Sequence, residues 1–568
     1  VRFRGIAVAL ALGGGPLGCT DGDTSTSDPL ISSVSGPITC ADPTARETAP
    51  LAPEQRTVLG DGGAWRFAAD YHTSTWDLRW GGRGVVVADF DGDGLLDIIA
   101  PQTLEPTRLL LGNADGTWTE RELPEADGIT GAVGGSAADF DGDGDLDVFL
   151  YGLLKSLDPG ATDAGVPPVL LVNDGTGTFT GESHPEWEEP EFMGCGGSAS
   201  WADFDLDGDL DLFYGRLGLV REVEGYVPCR KRLLENQGDG TFVDVADTWF
   251  GDDIQQLRVL ASGWHPAWDG DHWPELYVVA DAILEGTDPE LVPPGMSNLL
   301  YDNGPQGLGR LPLPSIEKRL AGMGLAAEDL DADGIVDVLV PGVDELPLLV
   351  STSPTVWTDH ADVWGAIPDG TRGQSSGWGG EFADLDNDGN LDLVLTFGSF
   401  ANATPEPDEI YRWTGPPPAE DDGGGFEPVG EAWGFSDDAP NRGMIVADLD
   451  GNGWLDIVKR EIGGVVWVDV ANCGPEGWLE IQLDGPGLNS RAIGATVRVD
   501  VGDTTWSRTI AAGSTSFASG GPPVAHFGLG DADQVDRIEV TWPDGTETTH
   551  GPQDTRQILK IRHPSTAR

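Results

Sequence analysis

Short apolar runs recur along this chain, each caught between clusters of Asp and Gly. "VVVADFDGDGLLDIIA", from Val85 to Ala100, sets two such runs on either side of Asp89, Asp91, Asp93 and Asp97. Runs this short, bounded by turn residues, predict β-strands joined by tight loops. A second pair follows at "RLLLGNADGTWTE" from Arg108, again around an Asn/Asp/Gly turn. The unit therefore holds about four short strands.

The unit repeats. Its Asp-rich half returns at Asp139–Asp141–Asp143–Asp147, Asp203–Asp205–Asp207–Asp211, Asp329–Asp331–Asp333–Asp337, Asp384–Asp386–Asp388–Asp392 and Asp448–Asp450–Asn452–Asp456. A degenerate copy, "PAWDGDHWPELYVV", keeps Asp269, Asp271 and Glu275 but has Ala267 in place of the first Asp. Starts at 89, 139, 203, 267, 329, 384 and 448 mark seven units. Seven units of four strands predict an all-β fold, a seven-bladed β-propeller over residues 59–472. The seventh unit has no second half. "DGGAWRFAAD", residues 61–70, stands before the first motif and supplies the missing piece, so an N-terminal strand near Trp65 to Ala69 is expected to close the ring. Trp80, Trp264 and Trp378 precede the motif at a repeating place, with Trp201 beside its Asp, and are expected in the blade cores.

The spacing D-x-D-x-D-G-x-x-D has a chemical meaning. Ca²⁺ takes six to eight oxygens at about 2.3–2.6 Å, and alternating carboxylates in a tight turn deliver them. Positions 1, 3, 5 and 9 offer side-chain oxygens, position 7 a carbonyl, and Gly at position 6 permits the bend. The flanks are strand-like and no Glu stands at position 12, so these are not EF-hands. Turns without an ion would leave four carboxylates repelling one another. About six structural Ca²⁺ sites are expected, with the copy at Asp269, Asp271 and Glu275 the weakest. At position 7, the Asp145 side chain is expected in solvent.

Charge narrows the partners. The 568 residues carry 96 Asp and Glu against 32 Lys and Arg, a formal net charge of −64, which repels nucleic acid and anionic membrane surfaces. The first 18 residues, with Arg2, Arg4 and the apolar run Ile6 to Leu12, are expected to be an export signal. Leu17-Gly18-Cys19 resembles a lipobox, which makes Cys19 a candidate lipid anchor; Pro16 departs from that pattern, and simple cleavage is the alternative. Residues 19–58 are rich in Ser, Thr, Asp and Pro and are expected to form a flexible tether. Cys40, Cys195, Cys229 and Cys473 suggest two disulfides, expected as Cys40–Cys473 across the ring closure and Cys195–Cys229 within a blade; the two other pairings stay open.

The repeats, above all "GGSAADFDGDGDLDVFLYG" with its later "LLVNDGTGTF", resemble the FG-GAP/VCBS repeats of integrin-like β-propellers. The last ninety or so residues, with Ala492-Ile493-Gly494-Ala495, His526-Phe527-Gly528-Leu529-Gly530 and Val540-Thr541-Trp542-Pro543, resemble an ASPIC/UnbV domain, placed at 473–563 before a short tail, 564–568. That order is the layout of the cartilage acidic protein family, including its bacterial members. The resemblance implies an exported calcium-binding adhesion or interaction protein. "TVRVDV", "WSRTI", "RIEVTW" and "QILKI" independently predict a small, sandwich-like β domain there, with Pro-Asp-Gly at 543–545 as a hairpin turn.

No GxSxG, HExxH or P-loop motif is present, and no catalytic residue is assigned. His526 is expected to be a packed or hydrogen-bonded residue. The expected function is a monomeric, surface-anchored or secreted binding module for a protein or polysaccharide, located outside the cell or as a periplasm-facing lipoprotein. The alternative is an extracellular polysaccharide-processing enzyme, since carboxylate pairs of the kind glycosidases use are easily hidden among so many Asp and Glu. Insertions such as "GLLKSLDPGATDAGVPPV" and "ILEGTDPELVPPGMSN" are candidate partner-binding loops.

Overall fold

The computed structural model describes residues 28, 30–34, 57–59 and 84–566, apart from 103–105, 124–131, 153–166, 183, 185–194, 218, 222–224, 228, 267, 269–270, 283–296, 314, 344, 367–375, 399–405, 416–423, 436–439, 462–465 and 514–515. The fold is all-β. Among the described residues between 57 and 469, seven antiparallel sheets are each built on four strands. Sheets I to VI run in simple chain order. Their first strands are Val86–Ala88, Ala132–Ala138, Gly196–Ala202, Val259–His265, Ala326–Glu328 and Gly377–Ala383. Sheet VII begins at Asn441–Ala447 and takes its fourth strand from the other end of the chain, Thr57–Leu59, which pairs with Val466–Asp469. The closing strand thus lies earlier than expected, and the stretch 61–70 falls outside the described residues. A short strand suffices here because one edge is all that remains to be paired.

Alternation along the second strands explains why these runs are apolar on both faces. Ile98 packs towards sheet VII and Ile99 towards sheet II. Val148 returns to sheet I while Phe149 reaches sheet III. Phe213 meets Leu276 and Val278 of sheet IV, whose Tyr277 and Val279 meet Val338 of sheet V. Leu339 joins Leu393 of sheet VI, and Val394 joins Ile457 of sheet VII. Val458 then packs with Ile98, so the last sheet lies on the first. Every sheet is a filling between two others. Trp201 and Trp264 are buried in these layers, whereas Trp378 is buried against Phe517 and Ala518 of the C-terminal domain; Trp80 lies outside the described residues.

The C-terminal region forms two further four-stranded sheets and a small two-stranded one, Gln534–Val535 with Gln553–Asp554. Thr496–Val501 is flanked by Thr504–Thr509 and Arg537–Thr541, and Glu547–His550 completes that sheet through the expected turn at Gly545. In the other, Gly477–Asp484 runs parallel to Gln557–Arg562 and antiparallel to Ala525–Gly530. Part of the expected tether is ordered on it: Ile31–Val34 pairs antiparallel with Gln557–Arg562. The reason is an open strand edge, whose unpaired main-chain groups the N-terminal segment satisfies. Asp28 accepts from His550 Nδ1 at 2.8 Å beside it.

A loop from this domain runs along the first strands of the sheets. Ala512–Gly513 pairs with Ser200 and Trp201 of sheet III. Gly520 exchanges hydrogen bonds with Val85 O and Val87 N, at 3.0 and 2.9 Å. Phe517 sets its ring edge-on to Trp378, 4.9 Å between centroids. Gly84 is required where Ala518 passes, because a Cβ there would lie 1.7 Å from the Ala518 carbonyl oxygen. The loop is a plug.

Cys195 and Cys229 form a disulfide with Cα atoms 6.3 Å apart. Cys473 is also disulfide-bonded, whereas Cys40, Cys19 and the stretch 1–18 lie outside the described residues. No described helix is long and apolar enough to cross a membrane.

Candidate metal loops beneath the C-terminal domain

Each Asp-rich loop joins the first and second strands of its sheet, and its carboxylates divide the work. The position-1 Asp folds the turn. Asp89 accepts from Gly92 N and Gly94 N at 2.8 and 3.0 Å, and Asp139 does the same from Gly142 and Gly144. Gly94 and Gly144 take φ of +89° and +101°, where a side chain would be strained. The position-5 side chain, from Asp93 to Asn452, accepts from the amide two residues on.

The position-9 Asp is a pin. Asp211 accepts from Phe204 N at 3.1 Å and from Asn236 N, in the third strand, at 2.8 Å. Asp97, Asp147, Asp337, Asp392 and Asp456 repeat the pair with Gly112, Asn173, Ser351, Trp413 and Ala471. One buried carboxylate thus ties the loop to two strands.

Oxygens converge. Ligand atoms of Asp89, Asp91 and Asp97 lie within 4.8 Å of one another, as do those of Asp139, Asp141 and Asp147, of Asp203, Asp205 and Asp211, of Asp329, Asp331 and Asp333, and of Asp384, Asp386 and Asp388. Asp91 Oδ1, Asp203 Oδ1 and Asp205 Oδ1 are buried without a hydrogen-bond partner. Burial, with neighbouring carboxylates adding to it, raises Asp97 and Asp203 to about 7 and Asp337 to about 8 against the hydrogen bonds they accept. Orphaned oxygens at hard-ligand spacing and carboxylates short of positive charge fit a divalent cation. In the seventh loop, Asp448 and Asp456 are raised well above normal by burial, and Asp450 is raised by the same cause.

Two loops depart from this pattern. In the degenerate one, Ala267 and Asp269 lie outside the described residues; Asp271 accepts from Trp273 N, and Glu275 is buried at the pin position. In the sixth, Arg412 donates from Nε to Asp386 at 2.7 Å and from Nη2 to Asp388 at 2.6 Å. Its counterparts before the anchoring amide include Leu111, Val172 and Val350, so an Arg there was the visible signal that this loop has its own cation. Asp145 is half-buried rather than in solvent, because the Gly175 turn of the neighbouring hairpin lies against its carboxylate.

The position-6 carbonyls face the C-terminal domain, which reads them one after another. Arg491 donates to Gly144 O at 2.6 Å, Leu488 N and Asn489 N to Gly208 O at 3.2 and 3.1 Å, and Trp506 Nε1 to Gly389 O at 2.5 Å. His526 Nε2 donates to Gly453 O at 3.2 Å. Ser490 donates to Asp139 itself. The loops are therefore an interdomain floor as well as candidate ion sites. Sequence periodicity gives no sign of this second role.

Residues 103–150 and 384–458 match the FG-GAP-like repeat family, and residues 485–568 match the ASPIC and UnbV family. The chain carries FG-GAP-like repeats followed by an ASPIC/UnbV domain. It is 27% identical over 259 residues to cartilage acidic protein 1 of Homo sapiens, a match covering 43% of this chain and 36% of the human protein. Against cartilage acidic protein 1 of Xenopus tropicalis the identity is 28% over 253 residues, 43% of this chain and 37% of that one. The match thus spans little more than a third of the length of these curated relatives. Among solved structures, similarity is found to an Agrocybe aegerita lectin described with recognition of non-reducing terminal N-acetylglucosamine (TM-score 0.36, 16% identity, 66% of this chain and 84% of that one). YCF48 bound to D1 peptide is another (TM-score 0.36, 10% identity, 72% and 99%).

Proposed function

We propose that the seven sheets close as a seven-bladed β-propeller, that its Asp loops bind Ca²⁺ as structural ions, and that the whole is an exported adhesion or ligand-binding module. The convergence of three carboxylates within 4.8 Å in the loops that begin at Asp89, Asp139, Asp203, Asp329 and Asp384 carries the calcium reading. The binding face follows from connectivity. The strand 1–2 loops of sheets II, III, VI and VII meet the C-terminal domain, so the second strands of those antiparallel sheets run away from it. The chain between the second and third strands is long in sheets II and IV, 153–168 and 281–298, and most of those residues lie outside the described ones. Long connections that differ in sequence from one repeat to the next suit recognition of a protein or polysaccharide.

A thermal melt of the chain with Ca²⁺ and with chelator, alongside an ion count, tests the scaffold. An unchanged melting temperature with fewer than two bound ions would sink it. Retention on a polysaccharide array without depolymerisation supports a binding role; cleavage overturns it.

A further inference from the structure

The internal repeats provide their own alignment, and two positions break it. The residue before the first loop Asp is Ala88, Ala138, Ala202, Ala383 and Ala447 in five units, yet Glu328 in sheet V. Three residues before that Asp stand Val86, Ser136, Ser200, Ala326 and Ile445, yet Glu381 in sheet VI. Neither belongs to the ion loops or is needed by the strand pattern.

Both acids line one cavity of about 170 Å³ between the first strands of sheets V to VII and the C-terminal domain, beside the stems of the plug. From above, the C-terminal domain adds Glu480, Arg508 and His526. Glu480 is buried and accepts from Gln482 at 3.0 Å; Glu381 accepts from Val446 N at 2.6 Å. Arg508 is only 8% exposed, and its hydrogen bond among the described residues is to Ser507 O, at 2.8 Å. His526 donates through Nε2 to Gly453, so Nδ1 is left as an acceptor, buried and without a partner. Ala383, Ile445 and Val524 supply apolar wall.

We propose that this cavity is a binding site for a small organic cation with an ammonium head and a short alkyl chain. Acceptors dominate: three non-repeat carboxylates and an imidazole nitrogen face a single guanidinium. An N–H-rich cation answers the acceptors, whereas an anion meets net repulsion. A cavity of about 150 Å³ admits a six-carbon ring, so the space suits a ligand of that scale. Arg508 holds its place as the internal counter-charge. Because its walls come from both domains, an occupant also fastens the C-terminal domain to the sheets. The cavity also borders Asp384 and Asp448, the first carboxylates of the sixth and seventh loops, so the loops are kept filled with Ca²⁺ while the cavity is titrated.

Calorimetric titration of the full chain in saturating Ca²⁺ tests it, with 1,4-diaminobutane as the probe and 1,4-butanediol and succinate as controls. One diamine site is expected, with no binding of diol or succinate, and an affinity loss of about tenfold in both Glu381→Gln and Glu480→Gln. Absence of diamine binding overturns the proposal. So does uptake at several sites that neither variant changes, which marks general attraction to an acidic surface. The two variants lie on different domains, so misfolding of one leaves the other to decide, and the wild-type titration decides alone if both misfold. A bound-calcium count on the same samples reports separately on the loops.

Discussion

Asn236 of sheet III donates from Nδ2 to the main-chain oxygen of Phe140, 2.9 Å away in the loop of sheet II, and to Leu210 O in its own loop at 3.3 Å. Asn173 bridges to Phe90 O at 2.9 Å and Asn303 to Phe204 O at 2.7 Å in the same way. A buried amide thus sets the spacing between successive sheets. Replacing Asn236 by Ala leaves two buried carbonyls without their donor. Chemical denaturation is expected to show a loss of about 1–3 kcal/mol with unchanged ion stoichiometry.

Loop carboxylates at positions 3 and 9 are expected to separate metal binding from folding. Asp141→Asn should lower the bound-ion count by one and leave the melting temperature in chelator nearly unchanged. Asp147→Ala strips the partners of Phe140 N and Asn173 N, both buried. It should cost about 2 kcal/mol or more in chelator as well as with Ca²⁺. Equal effects of the two substitutions in chelator would contradict the pin.

Without metal, stability should fall as pH rises. Burial raises Asp97 to about 7, and Asp147 and Asp337 to about 8, above an ordinary value of 3.8. A raised carboxyl binds its proton more tightly when folded, so its contribution is complete below about pH 4 and is lost as pH climbs towards about 8. In chelator the melting temperature is expected to drop across that window. Saturating Ca²⁺ should reverse the drop, because the ion replaces the proton.

Phe517→Ala removes the ring that packs on Trp378 inside the plug. Large-to-small changes at a buried aromatic cost about 3–5 kcal/mol. Hydrogen exchange should quicken in the first strands of sheets III and VI, and protease should gain access at 511–524. Protection equal to wild type would show that the plug does not brace the sheets.

Deleting residues up to Val34 uncovers the edge strand Gln557–Arg562. Amide exchange there should rise, and the truncated chain should self-associate at concentrations where the full chain does not. Light scattering and exchange on the same preparation check both.

The all-β repeat unit and the loop positions were legible because they repeat. An apolar run with both faces buried next to four spaced Asp reads the same way in each unit, and the pin Asp opens the second strand each time, from Asp97 to Asp456. Local chemistry, repeated, suffices for that. Long-range placement was legible only where a repeat lacked a piece: the missing half of the seventh unit pointed to an N-terminal strand, but not to Thr57–Leu59. That Ile31–Val34 joins a strand more than five hundred residues away and that Arg412 reaches Asp386 depend on edges and distances that exist only once the sheets have packed. The same holds for the floor beneath the C-terminal domain. The sequence by itself determined which residues turn, pair and gather oxygen, because those are local or periodic demands. Only the tertiary structure decided that the glycine carbonyls of those turns meet a second domain and that Glu328, Glu381 and Glu480 share one cavity. No spacing along the chain encodes a meeting of residues from three separate sheets.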